Sequence, residues 1–385
     1  MARGRAEWKR ALDIKPRLGK VFGWLEANAP SLTRAIRYHA LTEALPQEQR
    51  FEHITRPMRL DQPAYQSAFR ILQTKNVESY NRMIAPEVIT LDSAVIENVR
   101  LVGHTLFPIR SENDRIVSDG GAPIPWGITY PSISFRPAVR VSGTVTSIPH
   151  IKNYYHLMID YFVPVMAALL RNPQRFAGPV TFLVNHDYPM LDFLIGILRD
   201  VGIDAQLMKI RDADTVIAER YLWATSKAFH TEHAYAFRDE MRLLSDAIAR
   251  KTGHIKVPDK VFIPRSKTRL RNLLNQPDLQ AALEARGFAA WEMEWSRPLE
   301  QIALFQRAAQ IVSVHGAGLT NLMWGEGGSI VEIFPNNARK TTYLHMASQN
   351  DWAYDYVLGS DEAARQNFSV SVDEVLAKTD RKSVV

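Results

Sequence analysis

A strand–helix alternation runs through the chain twice, and it limits the fold more than any other feature. GPVTFLV (178–184) is an apolar run of strand length, followed by a helical pattern in PMLDFLIGILRDVG (189–202). AQLMKI (205–210) and VIAERYLWAT (216–225) read as strands, and AYAFRDEMRLLSDAIARKTG (234–253) as a long helix. After a hinge at HIKVPD (254–259) the rhythm restarts with the strand KVFIPRS (260–266) and the helix QPDLQAALEARG (276–287), with Pro near its start and Gly at its end. FAAWEMEW (288–295) follows as a strand and RPLEQIALFQRAAQ (297–310) as a helix capped by Ser296. IVSVHGAG (311–318) is a strand and turn, LTNLMW (319–324) a short helix, SIVEIFP (329–335) a strand, TYLHMASQN (342–350) a helix and WAYDYVLG (352–359) a strand. Upstream, VRVSGTVTSI (139–148) reads as a strand leading into the helix NYYHLMIDYFVPVMAALL (153–170).

Repeated βα units predict mainly parallel sheets covered on both faces. The expected fold class is α/β, with two Rossmann-like lobes facing a cleft and a mostly helical N-terminal extension. The divisions fall at 1–90, 91–254 and 255–385. Ligands of such sheets sit at the carboxyl ends of the strands.

With 385 residues, 46% hydrophobic and 23% charged, the chain can build two sizeable cores. It has no cysteine, which excludes a disulfide framework, a thiolate zinc site and a cysteine nucleophile. A formal charge of +6 is concentrated early, in Arg3, Arg5, Lys9, Arg10, Lys15, Arg17 and Lys20. The opening string has no uninterrupted apolar core and does not read as a secretory signal. No stretch reaches the roughly 18 apolar residues of a membrane span. Trp8, Leu12, Val21, Phe22, Trp24 and Leu25 among these cations suit either a solvated basic helix packed on its own domain or a peripheral seat on an anionic membrane. The expected location is the cytoplasm, with a peripheral seat at the inner face of the plasma membrane as the alternative. No nucleic-acid-binding motif is present, so nucleic acid is not an expected partner.

Three constellations carry chemistry. In VSVHGAGLTNLMW a β-branched strand ends at His315, Gly316, Ala317 and Gly318 let a ligand approach the backbone, and a helix then begins. Its free N–H groups and dipole make a seat for phosphate. The next strand delivers Glu332, a carboxylate suited to the hydroxyls of a ribose. A glycine pair alone marks many tight βα turns; its coincidence with His315, Asn321 and Glu332 points to ligand binding. In IPRSKTRLRN (263–272) a strand ends in Arg265 and Ser266, with Arg271 following, a cationic group suited to a leaving diphosphate. On the 153–170 helix, Asn153, His156 and Asp160 share one polar stripe on an apolar helix. His156 and Asp160 form either an oriented catalytic base or a buried structural bond.

Other strings carry less. Asp212 and Asp214 (DAD) imitate a metal clamp but sit in a charged turn, and His230 and His233 lack a third ligand, so no metal or cofactor is expected. HGAG has no GxSxG partner, which excludes an ester-hydrolase layout.

NYYHLMIDYFVPV, IPRSKTRLRNLLN, EQIALFQRAAQ and VSVHGAGLTNLMWGEGGSIVEIFP together resemble glycosyltransferase family 61, whose bacterial members are often described as capsular polysaccharide biosynthesis proteins. The similarity runs in order from about residue 140 to the end. It implies a GT-B-like fold and an inverting transfer from a nucleotide sugar, a UDP-sugar before CMP- or GDP-sugars, to a glycan or glycolipid acceptor. By position it implies donor contacts at Arg265, Ser266, Arg271, His315, Gly316, Ala317, Gly318, Asn321 and Glu332. The family's His-Trp is His156-Leu157 here, and its Asn-Glu is Asn275-Gln276, which loses a carboxylate. The other classes the sequence allows are a transferase of a pyruvyl or phosphoryl group on the same scaffold, and a non-catalytic basic binding protein.

Overall fold

The computed structural model describes residues 42–57, 63–73, 88–102, 106–111, 116–118, 138–149, 153–176, 178–211, 214–228, 235–265, 271–293, 297–360 and 367–380. Two sheets organise them. The first holds β1 (Thr42–Ala44), β2 (Arg50–Pro57), β3 (Val88–Val102), β4 (Ile109–Arg110), β5 (Ile116–Ser118), β6 (Val139–Ile148), β7 (Val180–Val184), β8 (Ala205–Lys209) and β9 (Thr215–Ala228). Their order is β1-β5-β4-β3-β9-β6-β7-β8, with β2 also paired to β3. Its helices are α1 (Pro63–Gln73), α2 (residues 154–171), α3 (Pro189–Asp200) and α4 (Arg238–Thr252). The second sheet runs β11-β10-β12-β13-β14 and is parallel throughout. It comprises β10 (Lys260–Ile263), β11 (Ala289–Ala290), β12 (Gln310–Val314), β13 (Ser329–Phe334) and β14 (Ala353–Leu358). Helices α5 (Gln276–Glu284), α6 (Pro298–Arg307), α7 (Thr342–Gln349) and α8 (Val372–Thr379) accompany it, with a 3-10 helix at Ala317–Trp324.

Mixed α/β architecture with parallel strands is what the alternation predicts, yet several details differ. In the first sheet β9-β6-β7-β8 and the short β1–β5 pair are parallel, whereas β3 pairs antiparallel with β9, β2 and β4. The pattern of βα units cannot reveal this half, because β3 and β9 are distant in sequence and joined only by side-by-side pairing. Residues 1–41 lie outside the described residues, and within 42–90 strands β1 and β2 accompany α1 where a mostly helical extension is expected. Alternation of exposure along β2 suits an edge strand better than a helix. FAAWEMEW forms only the two-residue β11, and Ser296 lies outside the described residues.

Both sheets reverse direction of build next to the strand that leads into a motif. In the second, β10 adds β11 on one side and the chain then crosses to add β12 on the other. In the first, β7 and β8 extend from one side of β6 and β9 pairs with the other. Each reversal opens a crevice at the carboxyl ends. α2 starts from the first crevice, and His315 emerges at the second.

The main core is continuous between the sheets: Phe162, Met166, Phe182 and Leu194 join Phe305, Leu322, Phe334, Leu344 and Trp352. Separate clusters around Val145, Val216 and Trp223, and around Phe262, Val312 and Phe368, back the two sheets. The N-terminal part reaches across to the second sheet, where Tyr65 donates to the Trp352 carbonyl (2.6 Å) and Arg339 to the Ile71 carbonyl (2.9 Å).

A buried ion network ties β2 to α2 and α4. Arg171 donates to both oxygens of Glu52 (2.7 and 2.6 Å) and to Glu240 (2.6 Å), and Arg56 makes a two-point contact with Glu240 (2.5 and 2.8 Å). Burial alone would raise both carboxyls. The hydrogen bonds and charge of Arg171, joined at Glu240 by Arg56, outweigh it and hold both below 4.5. Depressed folded values mean that this stability is complete above about pH 4.5 and is lost as pH falls through them. Arg171→Ala leaves two buried carboxylates short of charge and is expected to cost about 3–5 kcal/mol in urea unfolding at neutral pH. A loss near ~0.5 kcal/mol, as for an exposed pair, would contradict that role.

Candidate functional site

The first half of the site is the start of α2. Asn153 is its N-cap, accepting from the N–H groups of Tyr155 (2.9 Å) and His156 (3.4 Å), so this member of the polar stripe closes the helix end. Residues Leu157–Phe162 form a π-helical turn, closed where the Val163 N–H reaches Met158 O. The sequence predicts an unbroken α-helix here, and such widened turns are frequent at functional positions. Asp160 lies in that turn, and His156 Nδ1 meets its Oδ2 at 2.9 Å, with the His156 side chain 40% exposed. The pair predicted from the spacing is therefore formed, at the surface end of a buried helix.

The second half is the β12 turn. His315 follows β12, and the next residues enter the 3-10 helix two positions earlier than the expected α-helix. Arg265 donates to the His315 carbonyl (2.9 Å), and a Cβ on Gly316 would collide with the Arg265 guanidinium. Gly316 is needed for that close approach, since its backbone is extended. The Arg265 N–H donates to Gln276 Oε1 (2.8 Å). Gln276, set aside at the sequence level for want of a carboxylate, thus braces Arg265 as a neutral acceptor. Ser266 lies outside the described residues.

Arg271 sits in the left-handed region at φ 61°, uncommon for a long side chain, and its buried Nε has no hydrogen-bond partner among the described residues. Burial and the neighbouring Arg271 charge bring Arg265 down to about 10; burial also lowers Arg271. Lys340, on the loop after β13, is lowered by the protein around it and by Arg271. Sequence reasoning missed this third cation, although a lysine shortly after a strand's carboxyl end was a readable signal. Tyr343 on α7, also missed, feels Arg265 and Arg271 and lines the same space.

Glu332 is not presented at the strand edge as its position in SIVEIFP predicts. It is fully buried: Oε1 meets His315 Nδ1 at 2.5 Å, and Tyr354 donates to Oε2 at 2.7 Å. Both faces of β13 are covered, so a polar residue on it must be satisfied internally. Burial raises Glu332 to about 8. Burial, then the charges of Arg271, Lys340 and Arg265, pushes His315 well below 6.5.

Asn321 is likewise fully buried, accepting from Tyr154 OH (2.9 Å) and donating to Gly318 O (3.0 Å). It joins the lobes at the rear of the turn. In front, ring contacts link the halves: His156 to Tyr155 (5.5 Å), Tyr155 to Tyr343 (5.8 Å) and Tyr343 to His315 (5.2 Å). Asp214 is engaged by Arg211, while Asp212, His230 and His233 lie outside the described residues. Among the described residues no group of three or more His, Asp or Glu could hold a metal ion, and no helix is long and apolar enough to cross a membrane.

An imidazole–carboxylate pair on one α/β unit is linked by ring contacts to a basic turn on another. The family model Glycosyltransferase 61 matches residues 154–332, from the first residue of α2 to the buried carboxylate of β13. The match supports placing this region in glycosyltransferase family 61, which implies transfer of a sugar from donor to acceptor. No curated protein matches the chain.

Tyr154→Phe tests the rear joint. It strands the Asn321 carbonyl oxygen without its donor and is expected to cost about 1–3 kcal/mol. Urea unfolding measures this; unchanged stability would show that the bond does not hold the lobes together.

Proposed function

We propose that the protein is an inverting, metal-independent glycosyltransferase that moves a sugar from a nucleotide sugar, a UDP-sugar foremost, to a glycan or glycolipid acceptor of surface-polysaccharide synthesis. The observation that carries this is the run of ring contacts from His156 through Tyr155 and Tyr343 to His315, which brings an acid–base pair alongside a basic seat. The donor diphosphate lies over Arg265, Ser266, Arg271 and the Gly316, Ala317, Gly318 backbone, with His315 beside it. Asn321 and Glu332 support that seat from behind. The acceptor approaches α2, in a GT-B-like arrangement of the two lobes.

His156, with Nδ1 held by Asp160, takes the proton of the acceptor hydroxyl through Nε2. The hydroxyl oxygen bonds to the anomeric carbon as the bond to the diphosphate oxygen breaks on the opposite side, giving inversion. The nucleoside diphosphate leaves with the electron pair, its charge met by Arg265, Arg271, Lys340 and the turn.

Calorimetry on the full chain is expected to detect UDP binding; absence of binding by UDP, CMP and GDP would reject the nucleotide-sugar reading. His156→Ala is expected to keep UDP affinity and lower kcat by roughly 100- to 10,000-fold, with wild-type activity surviving excess EDTA. A folded His156→Ala enzyme with normal turnover would place the base elsewhere, and activity abolished by EDTA and restored by manganese would reject metal independence.

Membrane attachment through residues 1–25, which lie outside the described residues, belongs to the same proposal and rests on their basic and aromatic residues. At low salt the full chain is expected to sediment with anionic liposomes and a chain lacking residues 1–25 to stay in solution; equal behaviour of the two would refute it.

A further inference from the structure

His315, Glu332 and Tyr354 form a hydrogen-bonded line that ends at the turn after β12. His315 lies between Phe334, stacked at 5.0 Å, and Tyr343 at 5.2 Å, which fixes the plane of its ring. Its Nδ1 is committed to Glu332 Oε1, and Glu332 Oε2 to the Tyr354 hydroxyl. Its Nε2 has no hydrogen-bond partner among the described residues, although the residue is only 5% exposed. We propose that Glu332 and Tyr354 are positioning residues that hold His315 Nε2–H towards the cleft, as a hydrogen-bond donor to an oxygen of the nucleoside diphosphate. The identity of that ligand rests on the nucleotide-sugar reading; the state of the ring does not.

Proton counting supports the orientation. With Tyr354 donating to Oε2, a carboxyl proton sits on Oε1. When the pair carries two protons, one then lies between Nδ1 and Oε1 and the other is on Nε2, whichever partner holds the shared one. When it carries one, that proton stays in the short Nδ1–Oε1 contact and Nε2 is bare. The two-proton pair is neutral overall and the one-proton pair is an anion. Full burial of Glu332 favours the first, whereas Arg265 and Arg271 from the β10–α5 segment and Lys340 from the loop after β13 favour the second. Among the described residues, the other titratable groups against the pair are Tyr343 from α7 and Tyr354 from β14, both held neutral by burial. With Glu332 raised to about 8, the two-proton state prevails at neutral pH. The same geometry disfavours a ribose clamp: neither Glu332 oxygen can meet a sugar hydroxyl unless His315 or Tyr354 is displaced.

The test reads the ring directly, by long-range proton–nitrogen NMR of the histidine-labelled full chain from about pH 6 to about pH 9. Wild-type His315 is expected to carry Nε2–H at neutral pH and to have a bare Nε2 above about pH 8, as the pair gives up one proton. Glu332→Gln, whose amide donates to Nδ1 as the protonated carboxyl does, is expected to keep Nε2–H throughout. Tyr354→Phe removes a bond that favours the carboxylate and is expected to move the proton loss to higher pH. A bare Nε2 at neutral pH, or a titration that survives Glu332→Gln, would overturn the proposal.

UDP calorimetry reads the consequence. Wild-type affinity is expected to fall about tenfold across the upper pH range, one pH unit's worth of proton linkage. Glu332→Gln is expected to lose this dependence, and its own titration corrects for ionisation of UDP. Equal pH dependence in both proteins would remove the donor role. Failure of wild-type protein to bind UDP at any pH would instead count against the nucleotide-sugar reading, while the NMR result still decides the ring.

Discussion

An apolar helix pressed between two sheets can carry polar side chains only where each one is matched, and α2 is such a helix. Leu157, Met158, Ile159, Phe162 and Met166 bury it in the core that both lobes share. Polar groups near its ends are accordingly paired: Asn153 closes the N-terminus, Tyr154 grips Asn321, His156 takes Asp160, and Arg171 binds Glu52 and Glu240. These bonds anchor α2 at its start to the turn of the second lobe and at its end to β2 and α4. The site geometry follows from that anchoring, because Tyr155 reaches Tyr343 only if the helix is seated against the turn.

The parts legible in the sequence are those that local pattern determines. The run VTFLV is buried at all five positions, and β12 stops where the small residues begin. His156 and Asp160 were readable because helical spacing alone brings them together. What was not readable depends on partners distant in sequence. The antiparallel half of the first sheet is one case; the inward turn of Glu332 is another. SIVEIF is covered on both faces, so its pattern carries no information about which way position 332 points. Gln276 and Lys340 escaped for a different reason: their roles come from loops that return to the same strand ends.

The two irregular helical turns are placed where the lobes meet. α2 widens to a π-turn at Leu157–Phe162, and the opposing segment tightens to a 3-10 helix at Ala317–Trp324. A π-turn adds a residue to the ladder and changes the angular spacing of side chains before and after it. Here it lets one face of α2 stay in the shared core while His156 and Asp160 remain at the exposed end. The 3-10 helix, being narrower, lets Asn321 point back to Tyr154 while Gly316 stays under Arg265.

Electrostatics complete the asymmetry between the halves. The turn side gathers Arg265, Arg271 and Lys340 around a histidine whose own positive charge is opposed by both burial and those cations. If His315 were free to ionise, it would be a fourth cation in a crowded site, and mutual repulsion would work against it. Pairing with a buried carboxyl removes that conflict, since the pair can hold two protons with no net charge. His156 pairs with a carboxylate at the exposed rim instead, where water can help accommodate a proton it receives. The same two side-chain types thus meet in both lobes and differ in burial, the difference on which the proposed base and the proposed donor rest.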